Sequence, residues 1–277
     1  MSLNLDERQR AMLAEMHIRV WPTRSDTESA PSAKSIEAPG TATPLAQADG
    51  TRFQAQRERV ADLGWGELKA AVQQCQACAL GATRSQAVWG QGAADPDGEG
   101  HATPAGTGLG GPQADWLVVV AAPNAEDQAQ GLPMVGEPGR LLDNILRAVG
   151  LQREGLGPLG HSVFITSALK CAPPQERNPQ AAELDLCEPH LARQIALSRP
   201  KVIVAMGLVA AQSVLKQDAA QIASLPLGRL RAQVWQHQGI PVVVTYPSAY
   251  LMRTPADKAK AWADWCMART LALGKAG

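Results

Sequence analysis

The chain has 277 residues, 45% of them hydrophobic and 19% charged, enough to build a sizeable core in one large domain or two small ones. Its 26 basic and 26 acidic residues cancel, which excludes an overall basic field for attracting nucleic acid but leaves room for a local patch. No run approaches the roughly 18 uncharged apolar residues of a membrane helix, and Asp6, Glu7 and Glu15 interrupt any signal-peptide core. The protein is therefore read as cytoplasmic, and its five cysteines as metal ligands or free thiols rather than disulfides.

Residues 5–21, LDERQRAMLAEMHIRVW, differ in character from the rest of the chain. Leu5, Met12, Leu13 and Met16 fall near one face of a helix, and Ile18, Val20 and Trp21 then alternate as in a short extended segment. Residues 22–54 are largely Pro, Ala, Ser and Thr without periodicity, the composition of a disordered linker. An amphipathic peptide on such a tether reads as a docking motif for 1–21, or as a helix packing on its own domain. The folded domain is expected over 55–277, interrupted by a Gly/Pro/Ala-rich insertion loop at 91–114.

Beyond that loop the pattern becomes regular. Short apolar, β-branched runs at Trp116–Ala122, Val163–Ser167, Val202–Met206 and Val242–Tyr246 predict buried parallel strands. Helical patterns follow at Gly139–Val149, Pro179–Leu197, Leu208–Lys216 and Pro255–Leu273. The alternation predicts an α/β fold, a three-layer α/β/α sandwich around a central, mainly parallel sheet. Sites in such folds lie at the carboxyl ends of the strands, so chemistry is sought in the four loops found there.

Cys75 and Cys78 form a CxxC pair, compatible by itself with zinc, redox chemistry or chance. Cys171 follows a predicted strand end and Cys187 lies early in a predicted helix. Four thiolates suit tetrahedral zinc or an iron–sulfur cluster, and the spacing chooses neither. Cys266, between Trp265 and Met267, reads as a buried structural thiol.

Four segments resemble, in order, the family-four uracil-DNA glycosylases: CQACALGATRSQAVWGQG, QGLPMVGEPGRLLDNILRAVGL, VFITSALKCAPPQERNP with LDLCEPHLARQIALSRPKVIVAMG, and VVVTYPSAYLMRTPADKAKAWADW. The resemblance runs from residue 75 onward. It implies that Cys75, Cys78, Cys171 and Cys187 hold a structural 4Fe–4S cluster, with zinc as the alternative. It also implies a DNA partner and a site where a flipped base is gripped and charge is stabilised as the glycosidic bond breaks.

The catalytic positions depart from the family's pattern. Val120-Ala121-Ala122-Pro123-Asn124 stands for GEAPG, so Ala121 replaces the acidic residue. Met134 replaces the aromatic that stacks on uracil, and Ser167 the uracil-reading Asn, whose paired donor and acceptor a hydroxyl cannot supply. The His of the last motif aligns with Pro247 without a gap, or with Tyr246 after one insertion. Glu126 or Asp127 nearby offers a substitute carboxylate, but both read as solvated loop charges. Little or no uracil excision is expected from these degenerate positions. The resemblance keeps Leu251, Met252 and Arg253 in the form of the duplex-penetrating loop, with Lys258 after it, and sets Lys170 and Arg177 where the family approaches phosphate. Leu251 and Met252 read equally as caps on the core.

The segment RQRAMLAEMHIRVW also resembles the N-terminal peptide of the psi subunit of the bacterial replicative clamp loader, except for His17 where that peptide often has Gly. This resemblance implies Leu13, Met16, Ile18 and Trp21 as docking anchors for a clamp-loader or other replisome protein, with Trp21 dominant. It makes a non-catalytic adaptor the alternative to a repair glycosylase.

Overall fold

A computed structural model describes residues 54–92, 114–158, 160–216, 222 and 224–274. The expected docking peptide, nearly all of the linker and residues 93–113 of the insertion loop lie outside them.

Four strands form the parallel centre of a six-stranded sheet: β2 (Trp116–Val120), β3 (Val163–Ser167), β4 (Val202–Met206) and β6 (Ile240–Thr245). Their order is β3-β2-β4-β6, with Trp116 beside both Val163 and Val202, and Val204 beside Val243. Two antiparallel strands close the edges, β1 (Gln91–Gly92) on β3 and β5 (Val234–His237) on β6. Every residue of β2, β3 and β4 is buried, as a sheet covered on both faces requires.

The two-residue period of the strands divides these side chains between two cores. Leu117, Val119, Ile203, Ala205, Val242 and Val244 face α1 (Trp65–Gln74), α5 (Ala181–Ser198) and α6 (Leu208–Val214). Trp116, Val118, Val202, Val204 and Val243 face α4 (Gly136–Ala148) and α9 (Lys258–Ala272). Shorter helices among the described residues include α2 (Ala79–Thr83), α3 (Ala125–Gln130), α7 (Leu227–Leu230) and α8 (Ser248–Arg253), and residues 54–60 are also helical. This is the expected three-layer α/β/α sandwich.

The two middle strands match their expected bounds, while β2 ends at Val120 rather than Ala122 and β6 runs from Ile240 to Thr245. The helix expected at Gly139 begins at Gly136, and the last one opens with a 3-10 turn at Pro255–Asp257 before its α-helix starts at Lys258. Both edge strands escaped the sequence reading. Gln91 and Gly92, assigned to the insertion loop, are the two residues of β1. A side chain on Gly92, whose φ is +143°, would lie 2.0 Å from the Val163 carbonyl oxygen, so only glycine permits this pairing.

Candidate functional site

The CxxC pair is presented by two helix ends. Cys75 caps the C-terminus of α1 and Cys78 the N-terminus of α2. Cys171 lies four residues beyond β3, and Cys187 in the second turn of α5. The tertiary fold brings all four to one recess, lined also by Arg84, Lys170 and His190. Cys266 is not among its lining residues and is partly exposed on α9, which corrects the reading of a buried thiol.

Arg84 ties the recess together. Its Nη1 donates to the Cys171 sulfur at 3.0 Å, and its Nη2 to the Val72 and Gln73 carbonyls at 3.2 and 2.6 Å, satisfying open carbonyls at the end of α1. Burial pushes the Cys171 thiol up and the Cys187 thiol to about 12. As free thiols they stay neutral at pH 7, and a cationic centre has to release their protons to bind them. Four soft sulfur donors, backed by a guanidinium and an ammonium, fit a thiolate-held iron–sulfur group. Among the described residues, no three His, Cys, Asp or Glu side chains form a group set to hold a single metal ion.

Two of the four strand-end loops, those after β2 and β3, reach this recess. Ala122, just past β2, packs with Cys78, Cys171 and Cys187 in a small apolar cluster. The loop after β3 is stitched to the loop after β2, since the Ala168 and Leu169 amides donate to the Val120 and Ala121 carbonyls at 2.8 and 3.1 Å. Ser167, at the end of β3, is buried and donates its hydroxyl to the Leu169 carbonyl. Met134 has a left-handed backbone, φ +57°. Arg153 holds its loop by donating to the Pro133 and Met134 carbonyls at 2.7 and 3.0 Å.

With this geometry described, a comparison with protein families finds that residues 107–266 match the uracil DNA glycosylase superfamily. The chain belongs to that superfamily. It is 29% identical over 210 residues to a type-4 uracil-DNA glycosylase of Sulfurisphaera tokodaii, covering 75% of this chain and 84% of the relative. It is 31% identical over 191 residues to one from Saccharolobus solfataricus, covering 68% and 77%. A third, from Archaeoglobus fulgidus, is 32% identical over 151 residues, covering 53% and 71%.

The other positions this glycosylase-superfamily chain was expected to use are distributed unevenly. Lys170 is not a surface cation. It is 2% exposed, and its ammonium donates to Thr166 Oγ1, the Ser167 carbonyl and Gln194 Oε1 at 2.6–2.7 Å, so it offers nothing to a phosphate. Burial lowers its pKa to about 8. Leu251 is buried in the core, leaving Met252, Arg253 and Lys258 as the exposed members of the closing motif. Arg177 is half-exposed but forked onto Glu183. Ala121 is partly exposed, Pro247 caps the N-terminus of α8, and Tyr246 packs against Tyr250 and Arg231.

Several working residues were misassigned or unread in the sequence. Asp127 is 3% exposed rather than solvated. It caps α3 with Asn124 and accepts from the Val135 amide at 2.7 Å, joining the first-motif loop to the Met134 loop. Arg153, Gln56 and His190 carried no motif. The one sequence signal for His190 is its place three residues after Cys187, on the same helical face.

Proposed function

We propose that this protein is an iron–sulfur, uracil-DNA glycosylase-like protein of DNA repair or replication whose uracil excision is weak or lost. The cluster would be held by Cys75, Cys78, Cys171 and Cys187. It would supply a covalent tie between the α1–α2 segment, the loop after β3 and α5. Zinc is the competing occupant. Four cysteines around one recess supply the ligand count of a 4Fe–4S cluster.

The observation that carries the loss of excision is Ser167. Its hydroxyl is buried and its one proton is committed to the Leu169 carbonyl, so the residue in the base-reading position keeps an acceptor but no donor, and not the paired donor and acceptor that a uracil edge requires. Ala121 adds the loss of a carboxylate, and of the two residues that align with the family's His, Pro247 has no donor while Tyr246 stands in a packed array. Each missing polar or acid–base group costs about 10²–10³ in rate.

The test is a glycosylase assay on uracil-containing single- and double-stranded DNA with anaerobically purified protein, beside a type-4 enzyme. Excision at least about 10²-fold slower than that enzyme is expected. Comparable rates would overturn the reading and mean that Tyr246 or a neighbouring group has taken over the lost roles.

A second reading is a non-catalytic, psi-like subunit of the DNA polymerase III clamp loader. The anchors Leu13, Met16, Ile18 and Trp21, ahead of a Pro/Ala/Ser/Thr-rich stretch, favour it. Trp21→Ala should then abolish capture of clamp-loader subunits by the full chain while its melting curve stays unchanged. Equal capture by both proteins would exclude it.

A further inference from the structure

His190 lies on α5, one turn after Cys187, and is 1% exposed. Its side chain lines the recess that all four cysteines line. One ring nitrogen, Nε2, is 2.8 Å from the side-chain nitrogen of Gln56. The other, Nδ1, is buried and has no hydrogen-bond partner among the described residues. A buried ring nitrogen without a partner is costly, so its environment should contain something that pairs with it.

Gln56 decides which nitrogen carries the proton. The same amide nitrogen that faces His190 also approaches the Cys75 sulfur at 3.8 Å. Once Cys75 is a ligand its thiolate sulfur only accepts, which agrees with Gln56 directing its NH2 group, not its carbonyl oxygen, toward this pair. An amide nitrogen only donates, and His190 Nε2 therefore accepts. In the neutral ring the proton then sits on Nδ1, the nitrogen without a partner. Fixing one nitrogen's role through a hydrogen bond at the other is how outer-shell residues orient imidazoles around metal sites.

The geometry points to His190 as a positioning residue that donates an Nδ1–H hydrogen bond to the sulfur-rich group held by the four cysteines, with Gln56 fixing its tautomer. The inference rests on the iron–sulfur reading proposed above. Its consequence is electrostatic. A donor aimed at cluster or thiolate sulfur stabilises the more negative, reduced cluster, and hydrogen bonds to sulfur are among the determinants of cluster potential. It also links the 54–60 helical segment, through Gln56, to the retention of the group.

The test uses full-length protein purified anaerobically, with iron and sulfide analysis and a mediated redox titration followed by electron paramagnetic resonance. Two replacements of similar size separate the donor from its bulk. His190→Asn keeps an N–H on the atom bonded to Cγ, as Nδ1 is, and His190→Leu does not. The expected result is a midpoint potential shifted negative in His190→Leu and held near the parent's in His190→Asn. Iron retention against a chelator should fall in the leucine variant alone, within the outer-shell range of about 10–100-fold.

Equal potentials in parent and His190→Leu would overturn the inference while leaving the cluster in place. Loss of the cluster from both variants would overturn it as well, because His190 would then act by packing. A parent protein without iron and sulfide would overturn the cluster reading and the inference together.

Discussion

The ring of Tyr246 lies against the guanidinium of Arg231, whose central carbon is 4.1 Å from the ring centroid. The same guanidinium bonds Asp264 at 2.7 Å, and both charged residues are buried. Tyr250 stacks on Tyr246 at 4.8 Å and donates its hydroxyl to Asp257 at 2.6 Å. The Tyr246 side chain is thus held in an array of aromatic rings and paired charges. A cation over an aromatic face contributes about 0.5–2 kcal/mol when partly desolvated.

Arg231→Met should therefore destabilise the domain by about 3–5 kcal/mol, because it leaves Asp264 buried beside no cation. Burial already pushes the Asp264 carboxyl above the usual carboxylate range. The double replacement Arg231→Met with Asp264→Leu should recover most of the loss, since an apolar pair of similar size is often neutral. Urea denaturation of the three proteins decides it, and an equal loss in single and double variants would mean that the tyrosine packing dominates.

Alanine at Cys75, Cys78, Cys171 or Cys187 should each lower the iron and sulfide content of anaerobically purified protein. Cys266→Ala should leave both unchanged, because Cys266 is absent from the recess. Elemental analysis and the visible absorption of the purified proteins provide the readout. Unchanged metal content in Cys171→Ala would remove the four-cysteine assignment.

Lys170 and Arg253 should respond in opposite ways. Lys170→Met removes the ammonium that donates to the Ser167 carbonyl and to Gln194 Oε1, which keeps only Thr166 Oγ1 at 3.0 Å, and should cost about 1–3 kcal/mol of stability. Arg253→Ala and Lys258→Ala, both exposed, should leave stability nearly unchanged. If they meet phosphate, each should weaken DNA binding and lower the salt slope by about 1. Fluorescence anisotropy against salt, paired with thermal melts, separates the two behaviours.

The Arg177–Glu183 pair should make stability pH-dependent. The hydrogen bond from Arg177 is the main reason the Glu183 carboxyl lies below its ordinary value of 4.5. A carboxylate with a lowered folded pKa adds stability above its unfolded pKa and loses it as pH falls through the folded one. The gap in denaturation midpoint between the parent and Arg177→Met should be full at neutral pH. It should close as the pH drops below the ordinary carboxylate range. A gap that persists in acid would assign the effect to packing of the arginine stem.

The sequence by itself determined the four central strands, the helices between them and the layered α/β architecture. Period and β-branched composition are local properties, and strands buried on both faces leave an unbroken apolar signature in runs such as Val202–Met206. It also supplies the basis for proposing a degenerate site, because Ala121 carries no carboxyl and Ser167 no amide wherever the chain places them. The two-residue β1 was too short to read, and β5, exposed at alternate residues, gave no continuous apolar run. Only the tertiary structure decided that Lys170 is buried while Arg253 is exposed, and that Asp127 caps a helix instead of meeting solvent. A charge's state depends on its hydrogen-bond partners, and those of Lys170 include Gln194, 24 residues away. The pairing of Gln56 with His190 crosses 134 residues, and no local pattern encodes that contact.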